Sequence, residues 1–345
     1  MKRNMKKWVE AQISAKVKKP VPVLSFPSIS LLNVSVPELI SDSEMQAEGM
    51  RMVSERVDCG AALSMMDLSV EAEAFGSKIK FTDDEVPTVI GSIIHTKEDA
   101  DALVVPEVGA RRTGIYIESI RQAVGKISDR PVFAGVIGPF SLAGRLMDVS
   151  QAMVNCIAEP EFVHATMRKT TDFLIEYIKA YREVGANGVV IAEPLTGLLS
   201  PELAEGFSEP YVREIIEAVQ TDEFICIYHN CGNNVVYMAE SIMRVGAMGY
   251  HFGNAIDMAD IMPHVPADRL GMGNIDPASM FRNGTPEQVR ETTRTLLDEC
   301  ASIYPNFIIS SGCDIPPMTP WANIEAFFDA TEEWYEDTNA SESVA

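Results

Sequence analysis

Three residues that could bind a soft metal ion follow apolar runs at two distant positions in the chain. His229 and Cys231 come at the end of the run 224–228, and Cys313 follows the run 307–310. Residues i and i+2 of a strand point the same way, so the side chains of His229 and Cys231 can converge just beyond a strand end. One imidazole and two thiols suit zinc, and three protein ligands with an open fourth position are typical of catalytic zinc. The sequence predicts a zinc site, provided that the fold brings Cys313 to the pair.

The alternative interpretation is that Cys231 and Cys313 are small buried hydrophobic residues. Their neighbours disfavour it, because Gly232-Asn233-Asn234 and Ser311-Gly312 are polar and typical of turns. The remaining four cysteines lie in other surroundings, and we interpret them as structural: Cys59, Cys156, Cys226 and Cys300.

Apolar runs alternate with helical segments along the chain, and this alternation predicts the fold class. Eight runs read as strands, near residues 21, 61, 132, 188, 224, 248, 269 and 307. Continuous apolar strands separated by helices indicate an α/β protein with a parallel sheet covered on both faces. Eight of them predict a (β/α)8 TIM barrel. A doubly wound open sheet is the alternative, and it is disfavoured because no strand is followed by a glycine-rich phosphate-binding turn.

We expect one domain, 1–345, with three segments outside the barrel repeat. Residues 1–19 are basic and predict an N-terminal helical extension. Residues 76–130 are expected to be an insertion between the second and third strands, with a hairpin near 76–81 and a helix over 114–124. The acidic residues 336–345 are expected to form a disordered tail.

In such a barrel the carboxyl ends of all strands open on one face, where active sites are built. Glu193 follows a strand and is a candidate fourth metal ligand or a group that supports the ligands, although an ordinary carboxylate at a helix start is equally consistent with its position. His251 also ends a strand, but we interpret it as a core histidine. Four further residues are expected to line a cofactor pocket, with capping and turn formation as the alternative: Asp67, Asn254, Asn274 and Asp276.

Composition excludes several classes of function. The net charge of -22 disfavours nucleic acid and anionic membrane surfaces as partners. No run approaches the ~18 apolar residues of a membrane helix. The six scattered cysteines do not form a disulfide framework, so we expect a cytoplasmic protein.

The segment 229–233 with distant Cys313 resembles the His-x-Cys…Cys zinc signature of methylcobamide:coenzyme M methyltransferases, which belong to the uroporphyrinogen decarboxylase superfamily. Residues 67–76, 135–142 and 271–277 also resemble this superfamily. The similarity spans roughly residues 20–335, and the family fold is a (β/α)8 barrel, as the strand count predicts independently.

The resemblance implies a zinc-dependent methyltransferase that moves a methyl group from a corrinoid, carried by a corrinoid protein, to a small-molecule thiol. Zinc held by His229, Cys231 and Cys313 would stabilise the thiolate of a coenzyme M-like acceptor. Tetrapyrrole decarboxylation is an alternative, and it is disfavoured because residues 23–31 lack the arginines that bind substrate carboxylates in the decarboxylases. A second alternative is a demethylating enzyme that runs the same machinery in the opposite direction.

Overall fold

The computed structural model describes residues 3–342, and seven parallel strands form its main sheet. The strands are β1 Ala62–Leu63, β2 Lys78–Lys80, β3 Thr88–Ile90, β4 Val132–Ile137, β5 Gly188–Ala192, β6 Ile225–Asn230, β7 Gly249–Phe252, β8 Leu270–Ile275 and β9 Phe307–Ser311. The order of strands in the main sheet, β1-β4-β5-β6-β7-β8-β9, follows the order of the chain. Strands β2 and β3 form a separate antiparallel hairpin, which comes between β1 and β4 along the chain.

Helices connect the successive parallel strands, so the predicted α/β class is confirmed. Ser200 and Thr285 are N-caps of two of these helices, and Thr285 forms a capping box with Gln288. The helices are Met5–Ser14, Ser28–Leu32, Val36–Ile40, Ser43–Arg56, Val70–Ala74, Lys97–Ala102, Thr113–Lys126, Pro139–Met147, Val149–Ala158, Pro160–Glu183, Pro201–Phe207, Glu209–Val219, Ala239–Arg244, Met258–Ile261, Pro286–Leu296 and Trp321–Glu342.

The predicted strand near residue 21 is not a regular strand in the structure. Pro20 and Pro22 lack the N–H group that a strand ladder requires. The segment nevertheless contacts both edges of the sheet, because Val21 N donates to Ile309 O at 3.1 Å and Gly60 N donates to Pro20 O at 2.9 Å. The structure therefore has a seven-stranded parallel sheet, and a closed eight-stranded barrel stays a prediction.

Apolar side chains fill both faces of the sheet, which explains why its strands read as continuous apolar runs. Phe133, Ile225 and Ile308 belong to a buried cluster on one face. The N-terminal helix Met5–Ser14 adds Met5 and Val9 to this cluster, and the Trp8 ring lies 6.0 Å from the ring of Phe133. The predicted helical extension thus packs against the core of the sheet.

The insertion predicted over 76–130 contains the expected hairpin, and its expected helix runs over Thr113–Lys126. The prediction of a disordered tail over 336–345 is wrong for residues 336–342, because they continue the last helix. Residues 343–345 of that tail lie outside the described residues. Between residues 3 and 342, no helix is long and apolar enough to cross a membrane.

Candidate metal centre

His229, Cys231 and Cys313 come together at the carboxyl ends of β6 and β9. Their nitrogen and sulfur ligand atoms all lie within 4.8 Å of one another. A tetrahedral zinc ion with ordinary Zn–S and Zn–N bonds places such atoms about 3.5–3.8 Å apart. A small contraction would therefore close the three side chains around one ion, and a fourth coordination position would stay free for a substrate.

A chain of hydrogen bonds sets the orientation of the His229 ring. Its Nδ1 lies 2.7 Å from Nδ1 of His251, and Nε2 of His251 lies 2.7 Å from Oγ of Ser310. The Ser310 hydroxyl donates to the carbonyl of Val21 at 2.8 Å. A carbonyl only accepts, so we assign the proton of His251 to Nε2, facing Ser310, and the proton of His229 to Nδ1. The lone pair of His229 is then on Nε2, the atom that faces the thiols.

The Nε2 atom of His229 is buried and has no hydrogen-bond partner among the described residues. An unpaired buried acceptor costs about 1–3 kcal/mol, so such atoms are rare unless a ligand or metal occupies the position. Burial, and then the neighbouring His229, lower the pKa of His251 well below its usual value, so His251 is neutral and its Nδ1 can accept a hydrogen bond from Nδ1–H of His229. The residues present fit a zinc ion.

The two thiols of the site are coupled to each other. A hydrogen bond between them lowers the pKa of Cys231, and the same hydrogen bond together with burial raises the pKa of Cys313 to about 12. Burial is the main cause that raises the pKa of Cys59 and Cys300 to about 12, so the lowered pKa of Cys231 distinguishes it from these buried thiols. All six cysteines are free thiols in the described part of the chain.

Two glycines allow the backbone to approach the cysteines closely. A Cβ atom at Gly253, just after β7, would lie 2.3 Å from Cβ of Cys231. A Cβ atom at Gly312 would lie 2.7 Å from the backbone nitrogen of Asn254. A side chain at Gly253 would displace Cys231, and one at Gly312 would displace the loop at Asn254.

Glu193 is not placed as a metal ligand, which corrects that part of the sequence prediction. Its oxygens lie outside the group of atoms that could hold the ion. Instead, Oε2 accepts from the backbone N–H of Phe140 at 3.1 Å and Oε1 from that of Ser141 at 2.5 Å, at the start of the helix Pro139–Met147. Complete burial, opposed by these hydrogen bonds, raises the pKa of Glu193 to about 7. The carboxylate caps a helix and ties β5 to β4.

Asp67 is buried in an ion pair and does not line an open pocket. Its Oδ2 accepts from Nη1 of Arg112 and from the Tyr116 hydroxyl, and its Oδ1 accepts from Ser69. Arg112 also donates to Glu73 at 2.6 Å. The sequence did not single out Arg112, because its partners are distant in the chain and no local pattern marks them.

The other predicted pocket residues lie at a separate open groove. Asn274 and Asp276 line it, together with Asn254. Nδ2 of Asn274 donates to the carbonyls of Gly253 and Ile256, and Asp276 caps the segment Pro277–Arg282. These contacts match turn and capping roles, and a role in binding a cofactor stays a prediction.

A small cavity of about 50 Å3 opens directly onto the three ligands. Asp314 lines it beside Cys313, and sequence reasoning assigned no role to this residue. The remaining wall is apolar and consists of Val23, Met66, Leu68, Val190, Ala192 and Pro194. A cavity of this size with an apolar wall would admit only a small molecule beside the three candidate ligands.

Fold and site together define an α/β protein whose parallel sheet carries a candidate catalytic metal centre at the carboxyl ends of its strands. The uroporphyrinogen decarboxylase (URO-D) family model matches residues 28–334. The chain belongs to the uroporphyrinogen decarboxylase family.

Two curated relatives and one solved structure extend this comparison. The chain is 29% identical over 305 residues to "Methylcobamide:CoM methyltransferase MtbA" of Methanosarcina acetivorans, covering 86% of this chain and 87% of the relative. It is 28% identical to "Uroporphyrinogen decarboxylase" of Desulfotalea psychrophila, covering 87% and 88% of the two chains. A solved structure described as a methyltransferase from Methanosarcina mazei shares the fold, with a TM-score of 0.84 at 23% identity over 97% of this chain and 99% of that one.

Proposed function

We propose that this protein is a zinc-dependent methyltransferase that moves a methyl group from a protein-bound corrinoid to a small thiol. The observation that carries the proposal is the buried, unpartnered Nε2 of His229 beside two thiols at the strand ends. The similarity to a methylcobamide:CoM methyltransferase supports the same reaction class. A closed barrel, with residues 20–23 completing the sheet between β9 and β1, is part of this proposal.

His229, Cys231 and Cys313 would hold the zinc, which when bound stabilises the acceptor sulfur as a thiolate. His251 keeps the His229 lone pair directed at the site through the Nδ1 contact. The apolar cavity wall limits the acceptor to a small molecule and keeps water from competing with its sulfur. The acceptor sulfur then forms a bond to the methyl carbon, and the cobalt–carbon bond breaks with its electron pair remaining on the donor.

The corrinoid would be presented by a corrinoid protein that docks over the strand ends. Exposed apolar side chains lie on loops that follow three strands: Leu198 after β5, Tyr237 after β6 and Met318 after β9. These loops surround the site, so a protein bound to them would cover the cavity.

Metal analysis and methyl-transfer assays test the proposal. The purified protein is expected to bind about one zinc per chain, and Cys231→Ser and Cys313→Ser are expected to lose it while they remain folded. Cys156→Ser is the matched control, because that thiol donates a hydrogen bond to the carbonyl of Ala152 and lies outside the site. A protein without zinc, or a Cys313→Ser variant with full zinc content, would contradict the proposal.

Assays with different substrates distinguish the proposed direction of methyl transfer from the reverse direction and from decarboxylation. Transfer from methylcobalamin to thiols supports the proposed direction, whereas preferential demethylation of a methylated compound onto reduced corrinoid supports the reverse. Decarboxylation of a tetrapyrrole would proceed without metal. It is disfavoured because no lysine or arginine is among the described residues that line the cavity.

A further inference from the structure

Asn230 lies between two of the three candidate metal ligands and is not one of them. It is the last residue of β6, it is completely buried, and it separates His229 from Cys231. Because side chains alternate along a strand, its side chain points away from the face on which those of His229 and Cys231 lie. Any role of Asn230 in the metal centre therefore acts through its neighbours.

The amide oxygen of Asn230 closes a turn around Cys231. Oδ1 accepts from the backbone N–H of Gly232 at 3.0 Å, so Cys231 is the residue enclosed between the acceptor and the donor. Asparagine is one of the residues that form such turns with the backbone two positions further on. The backbone carbonyl of Asn230 also accepts from the N–H of Gly253 at 3.1 Å, which ties the start of the turn to the loop after β7. These two hydrogen bonds set the direction in which the chain leaves β6 at Cys231.

The turn is packed against the loop that follows β5. A Cβ atom at Gly232 would overlap Cα of Gly197, and a Cβ atom at Gly197 would overlap Oδ1 of Asn230. The N–H of Asn234, just beyond the turn, donates to the carbonyl of Gly197 at 3.3 Å. The hydrogen bond from Gly232 to Asn230 is thus part of a close contact between two loops, and not of a free surface turn.

The other half of the same amide argues against a purely stabilising role. Nδ2 of Asn230 is buried and has no hydrogen-bond partner among the described residues. An unpartnered buried donor costs at least as much free energy as a typical hydrogen bond contributes, so leucine at this position would be no less favourable for folding. Residues that break a local rule in this way are expected where a functional site requires their geometry.

We propose that Asn230 is a positioning residue of the metal centre, whose Oδ1 holds the turn that places the sulfur of Cys231 beside His229 and Cys313. This inference rests on the proposed zinc site. A thiol that is held in place before the ion arrives loses less conformational freedom on binding, so the turn raises the affinity for the metal without contacting it.

Two substitutions separate the oxygen atom from the shape of the side chain. Asn230→Leu keeps the approximate size and removes Oδ1, whereas Asn230→Asp keeps an oxygen that can accept from Gly232. We expect Asn230→Leu to raise the zinc dissociation constant about 10–100-fold, and Asn230→Asp to stay within about threefold of the parent. Competition with a chelator measures both constants. Asn230→Ala gives the same test if Asn230→Leu does not fold.

Cobalt(II) in place of zinc reports which ligand is affected. The thiolate-to-cobalt absorption depends on the number of bound thiolates, so the spectrum of Asn230→Leu is expected to approach that of Cys231→Ser. A residue that only stabilises the fold would leave the spectrum of the folded protein unchanged.

Asn187→Leu is the matched control for these measurements. Asn187 is also buried, and its Oδ1 accepts from a backbone N–H, that of Val132, at 3.0 Å. This hydrogen bond lies at the amino ends of β4 and β5, at the opposite end of the sheet from the metal centre. We expect the control variant to keep the zinc affinity and the cobalt spectrum of the parent, even where its stability is lower.

The metal-free parent protein provides one further measurement. Because Gly232 donates within the turn, its amide proton is expected to exchange slowly with deuterium before any metal is added, as NMR can measure. Rapid exchange of this proton contradicts the inference, since the turn would then form only with the metal.

Failure of the inference and failure of the proposed function have different signatures. A parent protein that binds zinc, with an Asn230→Leu variant of equal affinity and equal cobalt spectrum, overturns the role of Asn230 and leaves the metal centre intact. Equal losses in Asn230→Leu and Asn230→Asp also overturn it, because the oxygen would then not be the group that matters. A parent protein that binds neither zinc nor cobalt contradicts the proposed function, and the inference fails with it.

Discussion

The imidazoles of His229 and His251 contact each other across neighbouring strands, with 2.7 Å between their Nδ1 atoms. The two residues are direct partners in the register of β6 and β7. Since His251 is anchored by Ser310 on β9, three strands together determine which nitrogen of His229 faces the thiols. The orientation that would let His229 bind a metal ion therefore depends on His251, which is not one of the candidate ligands.

Replacing His251 should weaken zinc binding without removing a ligand. His251→Phe leaves the His229 Nδ1–H without its acceptor and frees the ring to turn. We expect the zinc dissociation constant to rise about 10–100-fold, as for other residues that orient a ligand. Competition with a chelator measures it. His264→Phe, at an exposed position, is the control, and equal zinc affinity in the two variants would refute the role of His251.

A side chain at Gly253 should disrupt the metal centre through the backbone. Gly253→Ala places a Cβ atom 2.3 Å from that of Cys231 and 2.5 Å from its Cα. The loop after β6 must then move, so we expect loss of most bound zinc and a decrease in unfolding free energy of about 1–3 kcal/mol. Zinc content and urea unfolding check both effects.

Gly206→Ala provides the comparison for that substitution, because it lies in the helix Pro201–Phe207 with open space around its Cβ position. We expect this variant to keep its zinc and to be as stable as the parent or slightly more stable. Normal zinc content in Gly253→Ala would show that the close approach of the two loops is not required.

Glu71 should make the protein less stable as the pH rises. Burial is the main cause that raises the pKa of this carboxyl group to about 8, and its Oε2 has no hydrogen-bond partner among the described residues. Between the usual pKa of about 4.5 and about 8, the folded state binds more protons than the unfolded state. The contribution of Glu71 to stability is therefore fully present below pH 4.5 and is lost as the pH rises through 8.

Glu71→Gln removes this titration. We expect the unfolding free energy of the variant, relative to the parent, to increase between pH 5 and pH 8 by about 1–4 kcal/mol in urea titrations. Glu217→Gln, at an exposed helix position, should show no such change. A parallel pH profile for parent and Glu71→Gln would mean that the carboxyl group is not protonated in the folded protein.

Tyr237 should contribute to docking of the corrinoid protein and not to the chemistry. It is 80% exposed on the loop that follows β6. Tyr237→Asp is expected to slow transfer from a methylated corrinoid protein about tenfold, because aromatic anchors carry much of the energy of an interface. Transfer from free methylcobalamin should stay unchanged.

Ile303→Asp is the matched control for docking, because Ile303 is 62% exposed and precedes β9, at the opposite end of the sheet. The docking role of the loop is excluded if both variants slow the protein-bound donor equally, or if Tyr237→Asp also slows the free one.

Much of the fold was predictable because its signal is local. Seven apolar runs coincide with the strands β1 and β4–β9, since a buried parallel strand must be apolar on both faces. The run near residue 21 has the same composition, but Pro20 and Pro22 prevent regular pairing. Residues 336–342 are helical because they continue the last helix, Trp321–Glu342. Trp334 and Tyr335, which precede them in this helix, are buried and hold it against the rest of the protein.

The dipeptide Tyr-His occurs near the ends of two neighbouring strands, at 228–229 and at 250–251. This repetition could have predicted the contact between His229 and His251 from the sequence. Each pair sits near the end of its strand, and parallel strands of similar length place such positions in register. Composition alone favoured a core histidine at His251, and it is indeed buried, but its neighbour is the ring of a candidate metal ligand, His229.

The sequence by itself determined the chemical types at the site and the strand ends on which they lie, because both depend on residue identity and short-range periodicity. Only the tertiary structure decided which groups meet. It placed Glu193 on the N–H groups of a helix, Arg112 on Asp67, and Oδ1 of Asp314 in a position without a hydrogen-bond partner among the described residues. Hydrogen-bond partners and burial depend on strand register and on loops from distant parts of the chain, and no local pattern encodes them.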